Sequence, residues 1–216
     1  RGNNETLLAD AGDGILRDMR TAGFDFSTLK GIIITHGHYD HMGGLWSLLG
    51  YFRMMGRKEE LFVLFPNGSK EVEAVISKFV ECYSDSIPYE LRTIRAEDGA
   101  TAQIGGFKIR AHSMVHRGST KLGLGDYLPA LGYSIEYQGQ RIAFSGDTAY
   151  CDNLKKLVKG ADFALVEATW GEAPTLGHKE VHLTVKEALE VGRLAKSFKI
   201  IHMTSKSRAY LEKNAP

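Results

Sequence analysis

The chain has 216 residues, a formal net charge of +1, 43% hydrophobic and 25% charged residues, the profile of a globular protein able to bury a sizeable core. No block of like charge marks a dedicated nucleic-acid or membrane-surface binder, although a nucleic-acid substrate remains compatible with near-neutrality. Two cysteines, Cys82 and Cys151, are too few and too far apart for a disulfide framework or a CxxC zinc site, no secretory signal is evident and the apolar runs are strand-sized, so a reducing, cytoplasmic setting with no membrane partner is expected.

Glu5 to Asp10 reads as a strand, followed by Ile15, Leu16, Met19 and Ala22 at helical spacing. Gly31 to Thr35 is a short run of buried-strand type, Leu45 to Met55 reads as a helix and Leu61 to Phe65 as a second buried strand. Val72, Val75, Ile76, Phe79 and Val80 trace one face of a helix with Ser69 as its N-cap. Then the pattern changes. Phe107, Ile109 and Ala111 alternate with polar residues, as do Leu131, Tyr133, Ile135 and Tyr137, and Gln138-Gly139-Gln140 turns the chain into Arg141 to Phe144 as a hairpin. Arg117 to Pro129 is glycine-rich and aperiodic, and reads as a loop, a lid or an insertion. Ala161 to Glu167 reads as a strand, Thr184 with Glu187 as the capping box of a helix, and Phe198 to His202 as a last strand. Strands and helices at both ends of an antiparallel middle suit an α/β protein of two packed sheets with helices outside. A single domain over residues 1–216, incomplete at both ends, is expected.

Residues 35 to 44, THGHYDHMGG, follow the apolar run Gly31 to Ile34 and hold three of the eight histidines. In an extended segment His36 and His38 point to one side, so both imidazoles can hold one cation, and a turn after His38 lets Asp40 and His41 reach a second. Neutral imidazoles with a carboxylate suit zinc, and manganese or iron would accept the same set. Further donors stand at strand ends: His116 past the strand that begins at Phe107, Asp147 after Arg141 to Phe144, and His202 after Ile200-Ile201. His112 continues its alternating strand and reads as structural.

His36-x-His38-x-Asp40-His41, then His116, Asp147 and His202, resembles the motif series of the metallo-β-lactamase fold superfamily, from about Thr6 to the end of the chain. The resemblance implies a four-layered αββα sandwich of two mixed β-sheets with helices outside, and two metal ions, most simply zinc. It assigns His36, His38 and His116 to the first ion, Asp40, His41 and His202 to the second, and Asp147 as the bridge. Asp147-Thr148, Val166-Glu167-Ala168-Thr169, His182-Leu183-Thr184 and His202-Met203-Thr204 are similar to the RNase Z branch, which cuts precursor tRNA and whose members commonly form homodimers. In that branch Glu167 and His182 form a proton relay, although Val166 stands where the branch motif has histidine. The implied reaction is attack on phosphorus by a metal-bridged hydroxide oriented by Asp40, with His182, held by Glu167, protonating the leaving oxygen.

The substrate stays open at this point. Only thirty residues lie between His116 and Asp147, where short bacterial RNase Z enzymes carry a long arm. The alternative to a phosphodiester is therefore a small carboxylic or sulfuric ester, as in lactonases or arylsulfatases. Arg117, Lys121, Lys206 and Arg208 are candidates for holding a substrate phosphate. Cys151 reads as packing. Oxygen-activating di-iron relatives typically carry Glu at the position of His38, which argues against that chemistry.

Overall fold

Isoleucines dominate the run ahead of the histidine motif, and β-branched side chains favour an extended, buried backbone. The computed structural model, which describes residues 5–172 and 180–214, places this run in and just after a parallel strand. The chain divides into two compact units, Arg1–Ala96 with Gln103–Phe107, and Glu97–Ala102 with Lys108–Pro216.

The first unit carries β1 (Thr6–Ala9), α1 (Ile15–Thr21), β2 (Leu29–Ile33), α2 (Tyr39–Met42), α3 (Leu45–Met54), β3 (Leu61–Pro66), α4 (Lys70–Tyr83) and β4 (Leu91–Ala96). Its strands form a sheet in the order β1-β2-β3-β4, every neighbouring pair parallel. Of the two mixed sheets expected, this one is therefore parallel throughout. Parallel neighbours need crossovers, which α1, α3 and α4 provide, and central strands covered on both faces read as unbroken apolar runs. That is why β2 and β3 were legible. β4 (LRTIRA) has exposed Arg92, Thr93 and Arg95, the charged habit of an edge strand, and its sequence hides it. Leu45, Leu48, Leu49 and Phe52 of α3 and Val72, Ile76 and Phe79 of α4 share one core with Ile32, Val63 and Phe65. Each such side chain contributes about 1.5–3 kcal/mol on burial. Ser69 does precede α4 with an extended backbone, but its hydroxyl makes no capping bond.

The second sheet is mixed, with six strands in the order β12-β11-β10-β9-β6-β5. These are β5 (Thr101–Ile104), β6 (Phe107–Ser113), β9 (Leu131–Tyr137), β10 (Gln140–Phe144), β11 (Phe163–Glu167) and β12 (Phe198–Ile201). β6, β9 and β10 are antiparallel neighbours, whereas β10, β11 and β12 run parallel. Gln138 and Gly139 have φ of 50° and 78°, as a two-residue hairpin turn with both central residues left-handed requires. The alternation expected in β9 fails from Leu131 to Ile135, all buried. Its Gly132 is one reason: a side chain there would meet Leu157 of the helix α5 (Asp152–Val158) at 2.7 Å. The segment Arg117 to Pro129, expected to be a loop, holds a separate hairpin of β7 (Arg117–Thr120) and β8 (Gly123–Tyr127). Glycine removes the apolar alternation that would have announced it. Helices α6 (Val185–Gly192), which starts on the expected Thr184–Glu187 capping box, and α7 (Ser205–Asn214) complete the unit. Cys151 packs partly buried against this unit's core. No helix among the described residues is long and apolar enough to cross a membrane.

One buried cation ties the first unit together. The Arg57 guanidinium, 8% exposed, donates to the carbonyls of Phe26, Leu29, Glu59 and Glu60 at 3.3, 2.7, 2.9 and 2.8 Å and lies over the Phe52 ring. Arg57→Met keeps much of the volume but leaves these carbonyls without their donor. It should cost about 3 kcal/mol, since a bond to a charged group contributes about 1.5–3 kcal/mol and the four are not additive. A urea midpoint within experimental error of wild type would contradict that role for Arg57.

Candidate functional site

In the first unit the histidine motif is organised by a residue upstream of it. Asp10 follows β1, and the parallel pairing of β1 with β2 brings it beside the start of the motif, its N–H donating to the Ile33 carbonyl at 2.8 Å. Its carboxylate accepts from the Thr35 N–H at 2.7 Å, the Thr35 hydroxyl at 3.0 Å and His41 Nδ1 at 2.7 Å. Burial pushes its pKa above the usual carboxylate value, and His41 and Thr35 pull it back. Asp10 has φ of 60°, a conformation that costs a non-glycine residue roughly 1–2 kcal/mol, and its three donors hold it there.

This network fixes which imidazole nitrogens carry lone pairs. His41 donates through Nδ1, so its Nε2 is the basic atom in the neutral ring. The single Thr35 proton goes to Asp10, so the hydroxyl accepts from His36 Nδ1, 3.1 Å away, and His36 Nε2 is also basic. That Nε2 faces His38 Nδ1 at 2.9 Å. Two ring nitrogens so close need a proton or a cation between them. Asp40 Oδ2 lies 3.8 Å from His41 Nε2, with its side chain 46% exposed. Gly12 completes the local fit: a Cβ there would stand 2.1 Å from the Asp40 carbonyl oxygen, so only glycine admits the motif backbone.

In the second unit Glu167 ends β11 fully buried. Its Oε1 accepts from the Thr148 N–H at 3.0 Å and His182 Nδ1 at 2.9 Å, and its Oε2 from the Thr169 N–H at 2.9 Å. Burial raises its pKa above the ordinary value, against the pull of His182. His182 thus presents Nε2 outward. Its ring stacks on His202 at 5.7 Å and meets the Trp170 and His116 rings edge-on. His116 is completely buried and donates Nδ1–H to the Val181 carbonyl at 2.8 Å, which again leaves Nε2 basic. Asp147, 3% exposed, lies 3.7 Å from His182 Nδ1 and 3.5 Å from His202 Nδ1. His202, just past β12, has φ of 50° and is held by the Thr169 hydroxyl, which meets its Nδ1 at 2.9 Å and its carbonyl at 3.2 Å.

Ligand atoms of His116, Asp147 and His182 lie within 4.8 Å of one another, as do those of Glu167, His182 and His202. Neutral imidazoles with basic Nε2 atoms and a buried carboxylate are a donor set for a divalent cation. The chemistry of these residues therefore fits the metal that the sequence implies. Of the expected site residues, His36, His38, Asp40 and His41 stand together in the first unit, and His116, Asp147, Glu167, His182 and His202 in the second. His112 lies within β6, half-buried, as a structural residue would. Three residues were missed: Asp10, Thr35 and Thr169. Asp10 ends an apolar strand as Asp147 and His202 do, and that shared position was its signal.

Residues 5–203 match the family described as the beta-lactamase superfamily domain. The chain belongs to that family. It is 29% identical over 240 residues to Ribonuclease Z of Metallosphaera sedula, across 94% of this chain and 80% of that protein. Among solved structures it resembles human tRNase Z, short form (ELAC1), with a TM-score of 0.74 and 22% identity over 95% of this chain and 85% of that one. It also resembles Zn2+-bound PqqB from Methylobacterium extorquens, with a TM-score of 0.71 and 18% identity over 98% of this chain and 80% of that one. The fold is thus the metallo-β-lactamase fold and the chain is RNase Z-like within it, a metal-dependent hydrolase by family.

Glu167 gives a test of the geometry without any metal. Glu167→Gln retains one oxygen where two accept, so its amide must face a buried N–H, of Thr148 or of Thr169. The metal-free variant should lose about 1–3 kcal/mol, the cost of an unsatisfied buried donor, read from its urea midpoint. An unchanged midpoint would show that the carboxylate does not hold those amides.

Proposed function

We propose that the chain is a di-zinc phosphodiesterase resembling RNase Z, with precursor tRNA as the first substrate class. The observation that carries this reading is the pair of Glu167 and His182, a buried carboxylate 2.9 Å from the inner nitrogen of an imidazole. His36, His38 and His116 would hold one ion, Asp40, His41 and His202 the other, and Asp147 would bridge them. This assignment rests on the resemblance and on the donor chemistry within each unit. When bound, such ions supply Lewis acidity at phosphate oxygens and a nucleophile at neutral pH. Zinc rather than manganese or iron is favoured by the imidazole-rich set, and the similar PqqB structure is zinc-bound.

The residues of the chain then divide the remaining work. Asp40, the most exposed of the expected ligands, would orient the attacking oxygen. Glu167 would stabilise the imidazolium of His182, whose Nε2 proton passes to the leaving oxygen, a step typically contributing ~10²–10⁴ in rate. Among the candidate cations, Arg117 already bonds the Gly125 carbonyl and Glu180, and Lys121 lies at the hairpin turn between β7 and β8. Lys206 and Arg208 lie on α7.

A panel of bis(p-nitrophenyl) phosphate, a precursor-tRNA transcript, a nitrophenyl carboxylic ester and an arylsulfate tests the substrate class. Turnover of the diester, lost in Asp147→Ala, is expected. Turnover of a carboxylic or sulfuric ester with none of either diester would contradict it and favour the small-ester alternative, to which the short hairpin between His116 and Asp147 lends itself. His182→Ala should slow turnover by about a hundredfold or more on poor leaving groups and far less on nitrophenolate. Equal slowing on both would remove His182 from the role of acid.

A further inference from the structure

Consecutive residues at the start of the β7–β8 hairpin grip consecutive residues just before His182. His116 donates Nδ1–H to the Val181 carbonyl at 2.8 Å, and the next residue, Arg117, places Nη1 2.6 Å from Glu180 Oε2. Arg117 is itself held by the hairpin, with Nε on the Gly125 carbonyl at 2.8 Å and its guanidinium 5.0 Å above the Tyr127 ring. The Tyr127 hydroxyl also bonds to Glu180, and the Leu128 N–H returns to the His116 carbonyl at 3.0 Å. Three side chains thus close a ring of contacts around the backbone that carries His116, Val181 and His182.

An isolated exposed ion pair contributes little to stability, about 0–1 kcal/mol. Its weight here is geometric. The Val181 carbonyl chooses the His116 tautomer, and His182 follows it in the chain, so a shift of residues 180–182 moves both rings. Catalytic groups misplaced by about 1 Å lose on the order of 10²-fold in rate.

We propose that Arg117 and Glu180 are positioning residues. Their ion pair, with Tyr127, makes the β7–β8 hairpin a latch that registers the Val181 carbonyl and thereby His116 and His182. Arg117 is therefore not the holder of a substrate phosphate. The kinetic part of this inference rests on the phosphodiesterase reading, whereas the structural part does not.

The test compares full-length wild type with Arg117→Gln, Glu180→Gln and the exchanged pair Arg117→Glu with Glu180→Arg. Hydrogen exchange on the metal-free proteins should show the Trp170 amide, which donates to the Leu183 carbonyl at 3.0 Å, exchanging about tenfold faster in each single variant, with α4 amides unchanged as a folding control and most of the protection regained in the exchanged pair. Unchanged exchange in both single variants would overturn the latch. On bis(p-nitrophenyl) phosphate the single variants should lower kcat about tenfold or more with KM within about twofold, and the exchanged pair should recover most of it. A rise in KM alone would make Arg117 a substrate ligand and overturn the positioning role. If wild type turns over no phosphodiester, the functional reading fails and the exchange data alone decide the latch.

Discussion

A carboxylate withdrawn from water must be given donors, and each unit of this chain is arranged around one that is. Asp10 receives two donors from Thr35 and one from His41. Glu167 receives the amides of Thr148 and Thr169 and the inner nitrogen of His182. The desolvation of each raises its pKa, and the donors are what make the buried site tolerable. The functional consequence is the tautomer. A histidine that donates through Nδ1 keeps a basic Nε2, and these interactions set that state in His36 and His41 of the first unit, while the Val181 carbonyl sets it in His116 of the second.

The backbone shows where this organisation is costly. Only three described residues other than glycine have positive φ: Asp10, Gln138 and His202. Gln138 is at a hairpin turn whose geometry asks for it. The other two are an acceptor hub and a candidate ligand, each immediately after a strand and each held by hydrogen bonds. Strain retained at such places is compatible with a chemical role, because the surrounding structure over-determines the conformation. Gly12 makes the same point through space, since the motif carbonyl of Asp40 occupies the position that a side chain would need.

Much of the fold was legible because its signals are local. The buried strands β2 and β3 announce themselves as apolar runs, α4 by one apolar face, and α6 by its capping box. β4 was not legible because an edge strand is dressed in arginines, and β7 and β8 because Gly118, Gly123 and Gly125 erase alternation. The histidine motif stood out in the sequence because histidine clusters are rare in polar loops. Thr35 and Thr169 did not, because they act on other side chains through tertiary hydrogen bonds and carry no spacing of their own, and Asp10 carried only its place at a strand end. The relation of Glu167 to His182 came from the resemblance, as a separation of fifteen positions gives no geometric clue before folding.

The most direct test of the central claim is the number of zinc ions bound per chain at saturation, measured by equilibrium dialysis followed by metal analysis of the full chain. Two ions, exchangeable with a chelator and bound without loss of fold, are the expected result. One ion at saturation, or none, would contradict a di-zinc centre built from these histidines and carboxylates.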